Sequence, residues 1–253
     1  MVPRMQLADK VVVVLGGGGL LGAEFVRECA EQGARVVVAD IKEPQTLSKE
    51  AVFLQCDVTN ETQMQALAQK IKIDFKKIEG VVNATYPANT KATGSKPFTE
   101  GNVDDMLENA SLHLRTCFNT VRAFAPILQE QKSGSIVFLA SIYGIAAPRF
   151  ELYDGLEMTQ PAEYAAAKGG IISLVRYFAS LLGRDGIRVN AISPGGIAAV
   201  QPKSFVDAYS KKLLLGAGLL SPKDISGAVA FLLSDASAQM TGQNLIIDGG
   251  WTL

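Results

Sequence analysis

The chain has 253 residues, 48% hydrophobic and 19% charged, which suits one large or two small globular domains with a substantial core. Its formal net charge is −1 with no basic block, which argues against a nucleic-acid or anionic-membrane partner. Cys29, Cys56 and Cys117 are scattered and His113 is the single histidine, so no disulfide framework or metal site is expected, and the thiols read as buried in a reducing, cytoplasmic setting.

At the N-terminus, residues 1–10 lack the charged-then-apolar pattern of a secretory signal. Residues 10–15 (KVVVVL) predict a strand buried on both faces. Residues 20–32 then predict a helix closed by Gly33, and residues 35–39 and 52–55 predict two further strands. The spacing of Met64, Leu67 and Ile71 predicts a helix over 60–73, with Asn60 and Gln63 as a capping box. A fourth strand is expected at 80–83, a long helix at 102–131, a fifth strand at 135–140 and a helix at 162–182. Strands at 187–192 and 245–247 flank a helix around 223–233. No apolar run looks long enough to span a bilayer. The βαβ alternation without a linker or repeat predicts one α/β domain over residues 1–253, a doubly wound parallel sheet with helices on both faces.

The run Gly16-Gly17-Gly18-Gly19-Leu20-Leu21-Gly22 joins the first strand to the first helix. Glycines let the backbone approach a pyrophosphate, and the helix start offers free N–H groups, so Gly16, Gly19, Leu20, Leu21 and Gly22 are candidates for dinucleotide binding. Asp40, at the end of the second strand, can accept hydrogen bonds from ribose hydroxyls and would repel a 2′-phosphate, which favours NAD over NADP. Lys42 could soften that choice, although ordinary solvated charge also explains it. Asp57 and Val58 close the third strand; Asp57 suits either the adenine edge or a helix cap.

Tyr164 and Lys168 stand four residues apart, so on a helix both project from one face. A phenol titrates near pH ~10; an ammonium about 4 Å away, at an effective dielectric of about 20, favours phenolate by roughly 4 kcal/mol, or about three pKa units. The pair is therefore expected to exchange a proton near neutral pH, unless it is only a surface pair.

These residues, with Asn83, Ser141, Asn190-Ala191-Ile192-Ser193-Pro194-Gly195, Thr241-Gly242-Gln243 and Asp248-Gly249-Gly250, occur in the order of the short-chain dehydrogenase/reductase superfamily, which the chain resembles over nearly its whole length. The resemblance implies a Rossmann-type single domain, a homotetramer or homodimer, and hydride transfer at C4 of a nicotinamide. It implies that Tyr164 is the acid/base, that Lys168 lowers its pKa and holds the nicotinamide ribose, and that Ser141 steadies the substrate oxygen. Asn83, Pro194, Gly195 and Ile197 are implied on the cofactor side.

Four departures from the family stand out. Leu15 and Leu20 leave a Gly16-x-x-Gly19-x-x-Gly22 pattern, similar to the sugar-nucleotide branch, although the C-terminal Asp248-Gly249-Gly250 belongs to the short branch. Tyr86 and Pro87 stiffen the segment after Asn83, and Tyr86 becomes a substrate candidate. His113 occupies the position of an asparagine that supports a water relay to the lysine; an imidazole can bridge the same water, or the ring can simply be packed. The stretch 142–163 is longer than the family norm and offers Arg149 for a phosphate or carboxylate, with Tyr153, Asp154 and Glu157 for hydroxyls or an amino group, unless it is an oligomer contact. This stretch, together with 83–87, resembles the subgroup linked to flagellin and surface-sugar modification.

The expected activity is NAD(H)-dependent interconversion of a secondary alcohol and a ketone on a sugar-like small molecule. The alternatives are a sugar-nucleotide epimerase or dehydratase with retained NAD, and a non-catalytic NAD-binding sensor or scaffold.

Overall fold

Strand β1 (Val11–Leu15) is completely buried because a strand flanks it on each side and helices cover both faces. The structure is a computed structural model, and it describes residues 6–48, 51–87, 98–216 and 218–253. Within them run β2 (Arg35–Asp40), β3 (Ala51–Gln55), β4 (Gly80–Asn83), β5 (Gly134–Leu139), β6 (Ile187–Pro194) and β7 (Asn244–Ile247). The connecting helices are α1 (Leu20–Glu31), α2 (Glu61–Phe75), α3 (Val103–Gln131), α4 (Ala162–Leu182), α5 (Lys203–Ser210) and α6 (Lys223–Leu233). All seven strands are parallel, in the order β3-β2-β1-β4-β5-β6-β7.

Strand periodicity divides the core into two layers. Val11, Val13 and Leu15 join Phe124 and Ile171 in the layer covered by α2, α3 and α4. Val12 and Val14 join Phe25 and Val229 in the layer covered by α1 and α6. Burying each such side chain contributes about 1.5–3 kcal/mol. Strand order reverses between β1 and β4, and a crevice at the carboxyl ends of the strands is the expected ligand position in such a sheet.

The expected fold class stands, with corrections. The sequence pattern does not predict helix α5. Asn60 caps α2 by accepting from the Gln63 N–H at 3.0 Å, but the Gln63 side chain accepts from the Asp57 N–H at 2.8 Å, so the capping box does not close on Asn60. Helices α2 and α3 end on left-handed Lys76 (φ 68°) and Lys132 (φ 56°) without a terminating glycine. Contrary to expectation, 162–185 is long and apolar enough, by length and composition, to cross a membrane. Its apolar character goes with packing against the sheet, where Ile171, Val175 and Phe178 are buried.

Candidate active site

The glycine turn takes its shape from two close approaches. Gly16 has φ +76°, in the left-handed region, and a Cβ on Gly22 would lie 2.0 Å from the Gly16 carbonyl oxygen. Helix α1 therefore starts directly against the turn, with Gly19 at its N-cap. No side chain caps it and no acid stands in its first turn. Asp40 reaches the same turn: Oδ2 accepts from the Gly18 N–H at 2.9 Å and Oδ1 from the Ile41 N–H at 2.7 Å. A glycine cradle, uncapped helical N–H groups and a carboxylate at the end of β2 fit the pyrophosphate and ribose of a dinucleotide.

At the carboxyl ends of β4, β5 and β6 lies an open cleft of about 420 Å³. It brings together Ser141, Tyr164, Lys168, Tyr86 and Tyr153 with four of the residues expected to face a cofactor, Leu21, Pro194, Gly195 and Ile197. Ser141 is buried at the end of β5, and its Oγ accepts from the Tyr143 N–H at 3.2 Å. Lys168, one turn beyond Tyr164 on α4, is buried; its Nζ donates to the Leu139 carbonyl at 2.8 Å and lies 5.4 Å from the centroid of the Tyr164 ring.

This geometry corrects the expected electrostatics. Burial pushes the Tyr164 phenol up to about 12, with the Ser141 hydroxyl working in the opposite direction. Burial pulls Lys168 down to about 8. The ammonium faces the ring and bonds to a carbonyl, so desolvation outweighs any charge attraction at the phenol.

His113, on α3, is 2% exposed and sits behind the cleft. Its ring meets Tyr86 edge-on at 5.1 Å and Tyr164 at 6.1 Å. Burial first, then the charge of Lys168, lower its pKa to about 4, so the imidazole is neutral near pH 7. Its Nε2 has no hydrogen-bond partner among the described residues.

Several candidates lie outside the cleft. The Asn83 side chain ties β4 to α3, donating to the Thr116 carbonyl at 3.2 Å and Thr120 Oγ1 at 3.0 Å and accepting from Thr85. Asp57 is not the α2 cap; one carboxylate oxygen binds the N–H and hydroxyl of Thr59. Val58 is buried, and its carbonyl accepts from Asn119 at 2.9 Å. Leu20 is 56% exposed at the start of α1. Arg149 does not reach the cleft: its guanidinium lies 5.0 Å over the Trp251 ring, with Nη2 3.4 Å from the Trp251 carbonyl oxygen. Asp154 and Glu157 are exposed outside it.

In their place, the long stretch contributes Tyr143, Met158, Thr159 and Gln160 to the cleft, and α5 contributes Phe205 and Tyr209. The Tyr143 and Tyr153 hydroxyls pair at 3.0 Å. The buried Phe205 and Tyr209 stand four residues apart, a helical signal present in the sequence but confined to one short helix.

Fold and site together define a dinucleotide-binding α/β oxidoreductase. A family model described as enoyl-(acyl carrier protein) reductase matches residues 20–252. Post-translational flagellin modification protein A of Campylobacter coli is 32% identical over 258 residues, covering 98% of this chain and 100% of that one. A probable galactose dehydrogenase of Rhizobium meliloti is 34% identical over 262 residues, covering 97% and 96%. A short-chain dehydrogenase from Leptospira borgpetersenii, solved with bound NAD+, superposes with a TM-score of 0.88 at 31% identity, covering 98% of this chain and 94% of that one. A gluconate 5-dehydrogenase from Burkholderia cenocepacia, in complex with NADP and tartrate, gives 0.87 at 25% identity, covering 99% and 98%. The chain belongs to the short-chain dehydrogenase/reductase family: it is a nicotinamide-dependent oxidoreductase acting on CH–OH donors.

Proposed function

We propose that the chain interconverts a secondary alcohol and a ketone on a polyhydroxylated, sugar-like substrate, using NAD(H) and with Tyr164 as acid/base. The observation that carries this reading is the convergence of Ser141, Tyr164 and Lys168 on one cleft beside Pro194 and Gly195. A nicotinamide held at this cleft would supply or take the hydride. As charge builds on the carbonyl oxygen during reduction, Tyr164 gives it a proton and Ser141 gives it a hydrogen bond. Lys168 would hold the nicotinamide ribose, and the buried neutral His113 would bridge a water towards the lysine. The Tyr143–Tyr153 hydroxyl pair and Gln160 suit a substrate with several hydroxyls. The names of the flagellin-modifying and galactose dehydrogenase relatives point the same way.

Asp40 supports NAD over NADP, because a carboxylate at the end of β2 repels a 2′-phosphate. The single continuous sheet supports one domain over residues 1–253. Exposed Phe118 on α3, with Tyr177 and Leu181 on α4, supports a homotetramer or homodimer built on these helices. A monomer by light scattering would remove that assembly.

Nicotinamide absorbance followed across a panel of sugars, polyols and keto acids tests the activity. Net NADH change at a Tyr164-dependent rate is expected. Product without net cofactor change would replace this reading with an epimerase or dehydratase. Cofactor binding without conversion of any compound would replace it with a sensor.

A further inference from the structure

We propose that Trp251 is a positioning residue that clamps the stretch after Ser141 to the Gly195–Gly196 turn and so sets the width of the substrate cleft. The clamp is read from geometry; its effect on substrate rests on the oxidoreductase reading above.

Trp251 is the only tryptophan in the chain and is 1% exposed. It does not line the cleft, but it touches both of its walls. On one side its ring stacks on Tyr209, with centroids 5.4 Å apart and an interplanar angle of 14°. The Tyr209 hydroxyl accepts from the Gly196 N–H at 2.7 Å. Tyr209 also presses on the turn: a Cβ on Gly196 would lie 2.9 Å from its ring, and one on Gly195 would lie 3.2 Å from its hydroxyl. From the other wall, Tyr143 meets the indole at a near-perpendicular angle, 5.9 Å between centroids, and the Arg149 guanidinium lies 5.0 Å over the ring. Tyr143 in turn binds Ser141 through its N–H and Tyr153 through its hydroxyl.

The indole is itself anchored. Asp248 accepts from the Gly250 N–H at 2.8 Å and from the Thr252 N–H and hydroxyl at 2.9 and 2.7 Å, and its carbonyl accepts from the Trp251 N–H at 3.2 Å. The buried indole Nε1 has no hydrogen-bond partner among the described residues, and the ring's contacts with Tyr209, Tyr143 and Arg149 are made through its aromatic surface. A flat ring between a cation, an aromatic edge and a stacked tyrosine spaces the two walls, and a small displacement of either wall changes how a substrate sits against Tyr164.

Trp251→Ala and Trp251→Phe test this with two readouts. The first is amide hydrogen exchange without substrate, in peptides covering residues 143–158 and Gly196. Trp251→Ala is expected to speed exchange about tenfold in both segments, and Trp251→Phe, which keeps a stacking ring, to stay within about threefold of wild type. The second uses the panel compound with the highest rate. Trp251→Ala is expected to raise its KM about tenfold while kcat and the NADH Kd stay within about threefold, and Trp251→Phe to recover the KM. Unchanged exchange in Trp251→Ala, an unchanged KM, or equal behaviour of the Phe and Ala variants overturns the proposal. If Trp251→Ala fails to fold, Arg149→Ala decides: it is expected to raise KM about threefold and speed exchange in 143–158, and wild-type values overturn the clamp. If no compound turns over, the sugar-like substrate reading fails, and the exchange result alone decides the clamp.

Discussion

The Lys168 ammonium lies against the face of the Tyr164 ring, 5.4 Å from its centroid, and donates to the Leu139 carbonyl at 2.8 Å. Burial is the main cause of the shift at both groups and outweighs any attraction of the ammonium for the phenolate. Tyr164 is raised to about 12 and Lys168 lowered to about 8. The unliganded enzyme should therefore hold Tyr164 neutral well into the alkaline range. Ultraviolet difference titration of wild type against Tyr164→Phe is expected to show no Tyr164 phenolate at pH 9; a phenolate band there would restore the lysine as the dominant influence. In the same variant, turnover is expected to fall at least about a thousandfold, with NADH still bound, because the proposed proton donor is lost and the glycine turn is intact.

The proposed preference for NAD over NADP rests on Asp40 and can be tested separately. Asp40 Oδ2 is 2.9 Å from the Gly18 N, which fixes the carboxylate beside the glycine turn. Asp40→Ser removes the charge but keeps an oxygen. The ratio of kcat/KM for NADP to that for NAD is expected to rise at least about tenfold, equivalent to about 1.4 kcal/mol. A wild-type enzyme that already prefers NADP would sink the assignment.

His113 links the site to stability. Its folded-state pKa is lowered to about 4 from 6.5, so the unfolded chain binds the extra proton between these values. Stability from keeping the ring neutral is present above pH ~6.5 and is lost as pH falls towards ~4, by at most about 3 kcal/mol. Because the chain has one histidine, a denaturant series at pH 7 and 4.5 comparing wild type with His113→Asn isolates it. Wild type is expected to lose more stability than the variant on acidification, and equal losses would remove the effect. For activity, His113→Asn is expected to retain substantial turnover and His113→Leu to lose much of it; wild-type turnover in the Leu variant would take His113 out of the mechanism.

The βαβ frame was legible because β1 and β2 are buried strands whose apolar runs leave little ambiguity, and because the glycine turn and the Tyr164–Lys168 spacing are local patterns. Helix α5 was not legible: eight residues carry too few turns for periodicity to emerge. Arg149 was misread for a different reason. Its position in a loop beside Ser141 suggested a substrate contact, yet its partner, Trp251, is remote in sequence and meets it only once the sheet is closed. The pKa reversal at Tyr164 was equally hidden, since sequence spacing sets a distance between two residues but not the burial of either or the direction in which the ammonium points.

Two glycines in helices separate cradle geometry from helix propensity. A Cβ on Gly22 in α1 would lie 2.0 Å from the Gly16 carbonyl oxygen and 2.8 Å from Gly17 Cα, so backbone must move against backbone. A Cβ on Gly227 in α6 would meet nothing within 4 Å. Gly227→Ala is expected to stabilise the fold by about 0.4–1 kcal/mol, by restricting the unfolded chain. Gly22→Ala is expected to destabilise by about 1–3 kcal/mol through overpacking and to weaken NADH binding at least about tenfold by displacing the turn. Thermal melts with and without NADH read both effects. A Gly22→Ala protein that melts like wild type and gains the same shift from NADH would show that the tight approach of α1 to the glycine turn does not shape the cofactor site.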